Sequence, residues 1–327
     1  MISLRELRSS RHQIIVLGNH EPIIQSLLDF DYLSGKKASS VLAILTGRRG
    51  VAKYFFGRQE ILLPTLASLQ ALPALVSSFP SSPGCHLWFL NLLSGRRTLF
   101  SLQELSSLSV KNLPLDLVGG AIFAENVPEL HALEILRAAT AKQQLVVGPA
   151  SVGLLVPGVL KLGAIGGITP EQIKENQIMT PGHFAVLSAS GGMTNELINL
   201  VNLAGHHLSF ALSFGGDRFP VLSPREAFLL AEADPQTTAV LYYGELGGED
   251  EYELVKLKEA GLFTKKLLAH IAGTVTSLFP SAPQFGHAKA KADSTRTTAL
   301  AKRKVLAAAG FDVSSSFADF IHLLANL

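Results

Sequence analysis

The feature that most constrains this chain is the alternation of short apolar runs with amphipathic stretches. "HQIIVLG" (12–18), "SSVLAILTG" (39–47), "HLWFLNL" (86–92), "GGAIFAE" (119–125) and "QLVVGPA" (144–150) predict buried strands. Between them, "EPIIQSLLDF", with Pro22 in its first turn, and "VPELHALEILRAATA" (127–141), opened by Pro128, predict helices. "EILLPTLASLQALPALV" (60–76) predicts a helix broken by its prolines. Strands separated by helices imply parallel βαβ units. "SVGLLVPGVLKLGAIGGITP" (151–170) is rich in Gly and Pro and has no clear period, so the domain junction is placed at its start. The alternation then resumes, with strands at 182–190, 207–215, 237–245 and 265–273. Helices are expected at 192–205, at 297–310 with Gly310 as C-cap, and in the closing "SFADFIHLLANL". The reading is two successive α/β domains, 1–150 and 151–327.

Composition narrows the function classes. Apolar residues make up 47% of the 327 and charged ones 17%, ample for two cores. A net charge of +2 gives no electrostatic case for nucleic acid. The single cysteine, Cys85, excludes an internal disulfide and a cysteine-rich metal site, and points to a cytoplasmic chain. The start has no apolar stretch of signal-peptide length, and no run is long enough to span a bilayer, so a soluble protein is expected. No HExxH or His/Cys spacing supports a metal.

Four stretches carry possible chemistry or ligand binding. "LSASGGMTNE" (187–196) reads strand, tight turn, helix; its glycines let backbone N–H groups approach a phosphate or carboxylate, with Ser190, Thr194 or Asn195 as added donors. The plainer reading is a tight connection with a Ser cap. "LYYGELGGEDEY" (241–252) puts Glu245 at the C-terminal edge of a strand, where open α/β sheets bind ligands. A carboxylate there orients an imidazole by accepting its N–H; alternatively it is a solvated acid. "SAPQFGHAKAKADS" (281–294) holds His287 among small residues, open enough for a neutral imidazole to act as nucleophile or for a loop histidine without a role. The other nine histidines read as packing or surface residues. "VLGNHEP" (16–22) has the position of a nucleotide-binding first turn but lacks G-x-G-x-x-G, so it does not read as an NAD site. "SGKKAS" (34–39) offers Lys36 and Lys37 to a phosphate, or is a solvated basic loop.

Taken in order, "VVGPASVGLLVPG", "SASGGMTNE", "FGGDRFP", "YYGELGGEDEY" and "QFGHAKA" resemble the succinyl-CoA synthetase α-subunit family. "LLDFDYLSG", "FFGRQEILLP", "SGGMTNEL", "GGDRFP" and "PQFGHA" resemble its ATP-citrate lyase branch, over nearly the whole chain. The resemblance implies an N-terminal Rossmann-like CoA-binding domain followed by a flavodoxin-like, doubly wound ligase domain. It implies that His287 takes the γ-phosphoryl of ATP and passes it to a carboxylate, with the acyl phosphate then attacked by the CoA thiol. It assigns Ser190, Gly191 and Gly192 to the phosphoryl group and carboxylate, Glu245 to orienting the histidine, and Gly18 and Asn19, with Lys36 or Lys37, to CoA. It also implies a β-type ATP-grasp partner holding nucleotide and magnesium, and a chain that ends before a citrate-synthase-like module, as in a small subunit of a citryl-CoA synthetase. Three residues depart from the family pattern: Ala189 stands for Arg, Lys289 for Gly and Val221 for Gly. A lysine at 289 either supplies the charge missing at 189 or crowds CoA. A succinyl-CoA synthetase-type subunit and a degenerate, non-catalytic partner subunit remain the alternatives.

Overall fold

The computed structural model describes residues 1–77, 84–112, 115–279, 283, 284, 286, 287 and 290–327. The first sheet contains β1 (Arg11–Leu17), β2 (Val41–Leu45), β3 (Gly50–Phe56), β4 (Gln59–Leu66), β5 (Cys85–Asn91), β6 (Asp116–Ile122) and β7 (Leu145–Val147). They lie in the order β3-β4-β2-β1-β5-β6-β7. Only β3 runs antiparallel to its neighbour, and the parallel strands keep the order of a dinucleotide-type Rossmann sheet. The second sheet contains β8 (Leu154–Val156), β9 (Leu160–Leu162), β10 (Phe184–Ser188), β11 (Leu208–Ser213), β12 (Ala239–Glu245), β13 (Lys266–Ala272) and β14 (Asp312–Val313). Its order is β14-β13-β12-β10-β11-β8-β9, in which β11-β10-β12-β13-β14 is the flavodoxin arrangement and β8–β9 an antiparallel hairpin at the edge.

Helices cover both faces of the parallel strands, which is why the strands read as continuous apolar runs. On β1, Ile14 and Val16 face one core cluster and Ile15 and Leu17 the other, all buried. The expected helix over 60–76 fails in its first part, where the structure has a strand, and holds from Leu72 on. β3 and β4 form a hairpin closed at Gly57 (φ +64), and only then follow a 3-10 turn (Leu69–Ala71) and a short helix (Leu72–Ser77). In β4 the more buried Ile61, Leu63 and Thr65 alternate with outward Glu60 and Leu62, so strand pairing overrides the helix expectation. The helices Leu4–Ser9 and Gly95–Asn112 were also not anticipated; the latter is rich in serine, which blurs its apolar stripe.

The two sheets share a core. Ile14, Val16 and Leu90 of the first belong to one cluster with Leu154, Phe210 and Phe214 of the second. Polar ties reinforce the seam. The Arg8 guanidinium forks onto Asp234 at 2.6 and 2.8 Å and reaches the Ser209 carbonyl at 3.1 Å. Lys161, fully buried, donates to Ser26 Oγ at 2.8 Å and to the Gly163 carbonyl at 2.7 Å. His12 is a core residue: its Nε2 donates to the Leu7 carbonyl at 2.8 Å, and its Nδ1 accepts from Trp88 Nε1 at 3.0 Å. Burial holds its pKa at about 4, against an ordinary 6.5. Among the described residues, no helix is long and apolar enough to cross a membrane.

Candidate active site

Both sheets present the C-terminal ends of their parallel strands to the same region. In the second sheet, β10 and β12 are neighbours on either side of the point where strand order reverses, so the residues that follow them meet. After β10 the chain turns at Ser190, whose extended backbone caps the helix Gly191–Leu203 and whose Oγ accepts from Met193 N at 3.4 Å. The Gly191 and Gly192 N–H groups lie in the first turn, where no intrahelical acceptor is in reach. A Cβ at Gly191 would come within 2.4 Å of Val152 Cγ1, so packing requires that glycine; at Gly192 a Cβ would meet open space. Glu245 ends β12.

His287 reaches this point from the loop beyond β13. Its Nδ1 lies 2.9 and 2.8 Å from the two Glu245 carboxylate oxygens. A carboxylate only accepts, so Nδ1 carries the proton and Nε2 keeps its lone pair. The imidazole lies against the backbone of Gly216: a Cβ there would stand 2.5 Å from His287 Cδ2 and 3.0 Å from Nε2. The side chain is about one-third exposed, which leaves the ring accessible.

These groups line a cleft of about 640 Å³ that also takes in Glu125, Asn126, Ser151 and Asp217. Burial pushes the Asp217 carboxyl up, against hydrogen bonds from the backbone of Val127 and Asn126 and the pull of His287. No lysine or arginine stands among the described lining residues. Ala189 is buried and packs into the core. Lys289, the proposed source of compensating charge, lies outside the described residues. The donors on the described wall are therefore neutral side chains, among them Asn126, Ser151, Ser190 and Gln284, together with backbone N–H groups at a helix N-terminus, where the dipole is worth roughly half a charge.

The residues expected to hold CoA are not all brought together. Gly18 (φ +101) turns the chain after β1 so tightly that a Cβ would lie 3.0 Å from the Leu92 carbonyl carbon. Asn19 Oδ1 accepts from Tyr54 Oη at 3.4 Å. Lys36 and Lys37 follow the other end of the helix Glu21–Leu33, about 20 Å away at the α-helical rise. Lys36 is bound to Asp31 at 2.6 Å and to the Val159 carbonyl at 2.8 Å, so it serves the seam between sheets. Two exposed arginine pairs follow the strands that flank β1, Arg48–Arg49 after β2 and Arg96–Arg97 after β5. Sequence reasoning missed them, although "GRR" recurs after two apolar runs. Gly95, which starts the helix bearing Arg96, packs so closely on the Glu125–Asn126 backbone that a Cβ would lie 2.8 and 2.7 Å from their carbonyl oxygens. The first sheet's ligand edge thus abuts the His287 cleft.

The chain thus combines a Rossmann-order sheet, a flavodoxin-order sheet and a carboxylate-oriented histidine beside a helix N-terminus, a fold of the CoA-ligase class, and residues 187–311 match the CoA-ligase family. Within that class the chain is similar to ATP-citrate synthases and ATP citrate lyases. It is 33% identical over 322 residues to a probable ATP-citrate synthase subunit 1 of Schizosaccharomyces pombe, covering 98% of this chain and 50% of that protein. It is 36% identical over 313 residues to ATP-citrate synthase beta chain protein 2 of Arabidopsis thaliana, covering 95% and 49%. The structure of ATP citrate lyase from Methanothrix soehngenii in complex with citrate and coenzyme A superposes with a TM-score of 0.87 at 31% identity, over 97% of this chain and 49% of that one. The chain spans about half the length of the curated relatives it matches.

Proposed function

We propose that this chain is the CoA-ligase unit of a citryl-CoA-forming enzyme that works through phospho-His287. The observation that carries the reading is the contact of His287 Nδ1 with both Glu245 oxygens, at a cleft shared with the Ser190–Gly192 helix terminus. Further support comes from relatives that are ATP-citrate synthases and from solved ATP citrate lyases holding citrate and coenzyme A, or (3S)-citryl-CoA.

The geometry suits two successive transfers. Nε2 attacks the γ-phosphorus of ATP; the N–P bond forms as the bond to ADP breaks, and Glu245 stabilises the cationic ring. A citrate carboxylate then attacks phosphorus, the N–P bond breaks and citryl phosphate forms. The Gly191 and Gly192 N–H groups hold the transferring oxygens. The CoA sulfur attacks the activated carbonyl and phosphate leaves, with the thiol proton passing to the departing phosphate. CoA lies on the Gly18–Asn19 turn, with Arg48, Arg49, Arg96 and Arg97 available to its phosphates. Among the described residues no group of three or more His, Cys, Asp or Glu fits a metal. We assign magnesium and nucleotide to a β-type ATP-grasp partner and route no step through the metal here. A chain with one cysteine that uses ATP and CoA fits the cytoplasm.

The test is labelling. With its partner and γ-labelled ATP, the chain should form an acid-labile, base-stable phosphoprotein that citrate discharges only when it is present, and His287→Asn should abolish the label. Label that persists in the variant overturns the assignment. Discharge by succinate in place of citrate supports the succinyl-CoA synthetase-type alternative, and a wild-type chain that never labels is the degenerate subunit.

A further inference from the structure

Directly behind Glu245 lies a charged network that the chemistry above does not use. Lys302, on the helix Ala299–Ala308, is 1% exposed at its side chain and pairs with Glu251, equally buried, at 2.6 Å. The same ammonium donates to the Glu245 main-chain carbonyl at 2.7 Å and to that of Gly247. The ammonium thus has one ion-pair partner and two main-chain acceptors. Glu251 in turn accepts from Tyr242 Oη at 3.0 Å, and Tyr242 is itself buried in β12. The turn after Glu245 is tied a second time, by Leu246 N to the Ala272 carbonyl at 3.0 Å and Gly247 N to the Thr297 carbonyl at 2.7 Å.

Burying a full ion pair is a poor route to stability, since a well-packed apolar pair does as well or better. What this pair does that an apolar pair does not is fix a main-chain oxygen in direction. The carbonyl it holds belongs to the residue whose carboxylate orients His287. We infer that Lys302, anchored by Glu251 and Tyr242, is a positioning residue that sets the Glu245 carboxylate against His287 Nδ1 and thereby governs phosphohistidine formation. The inference rests on the phospho-His287 reading.

The test compares wild type, Lys302→Met with Glu251→Leu, and Tyr242→Phe, each with its natural partner and γ-labelled ATP. The double variant removes both charges and leaves no lone buried ion. It should still fold, yet label His287 at least about tenfold more slowly, the scale on which a lost orienting partner impairs a site. Half-saturating ATP should stay within about twofold. The acid limb of the pH–rate profile should move to lower pH, because a misaligned Glu245 stabilises the imidazolium less. Tyr242→Phe, which removes one hydroxyl, should show the same changes at smaller amplitude, and carries the test if the double variant does not fold. Wild-type rates, or slower labelling with an unmoved acid limb, overturn the positioning role. If wild type labels and the variants match it, this inference alone fails; if wild type never labels, it falls together with the reading beneath it.

Discussion

Glu245 and His287 are 42 residues apart in sequence and 2.8 Å apart at their nearest atoms. Replacing Glu245 with Gln keeps its size and leaves an oxygen to accept the Nδ1 proton, but removes the charge that offsets a cationic ring. Phosphorylation of His287 in the Glu245→Gln variant should slow by roughly tenfold or more, read as the initial rate of label incorporation. His12 makes the opposite case, a histidine kept neutral. Its unfolded form takes up a proton near pH 6.5, whereas the folded ring stays neutral down to about pH 4. The unfolded state therefore binds more protons in that window, and stability is lost as the pH falls through it. His270, bonded to Ser314 at 2.8 Å and also held near 4 by burial, adds to the same slope. Urea midpoints should drop between pH 7 and pH 4.5, and His12→Gln should be less stable at pH 7 with a shallower slope.

On the function proposed above, the helix Gly191–Leu203 is the element that holds the anion. Gly192 has room for a side chain, so Gly192→Asp should fold and gain about 0.3–1 kcal/mol from a carboxylate at a helix N-terminus. The same carboxylate would occupy the place proposed for the phosphoryl oxygens. Calorimetry should therefore record an unchanged or higher melting temperature together with loss of labelling. Legibility in the sequence also divides by element. The parallel strands could be read because both faces are covered and their apolar runs are unbroken. The β3–β4 hairpin could not: Val51, Phe55 and Leu62 are apolar yet exposed, which hides the period of two. The bond of Lys36 to a carbonyl 123 residues away has no local signature, so the lysine pair looked available for phosphate when half of it was committed. Lys302 had one, for it shares a helical face with the buried Ala299 and Leu306, where a lysine needs a buried partner. The Ser190 turn, Glu245 and His287 stood out by residue type and by position after apolar runs. Their convergence depends on strand order, which the sequence does not spell out.

At the scale of the molecule, the cleft has one wall from each sheet, so its shape depends on how the sheets dock. Arg8 and Asp234 clamp that docking from opposite halves of the chain. Burial pushes the Asp234 carboxyl up, but the Arg8 and Thr237 hydrogen bonds outweigh it and hold the group below its ordinary range. The clamp thus contributes above the usual carboxylate pKa and is lost as acid protonates Asp234. Arg8→Met leaves a buried carboxylate without its partner and should cost about 3 kcal/mol, measured by chemical denaturation at neutral pH. Asp234→Asn in that background should recover part of the loss, since no uncompensated charge remains.

The close approach of His287 to the backbone at Gly216 gives a rule usable without any structure. Every other amino acid brings a Cβ to that position, and even the smallest would push the ring from its carboxylate. A relative that keeps both the histidine and the strand-end acid, but has any other residue at the position of Gly216, has the letters of the nucleophile without the room for it. On the phospho-His287 reading, that one glycine should separate chains able to carry phosphate from those that only look as if they do, which labelling of a Gly216→Ala variant would check.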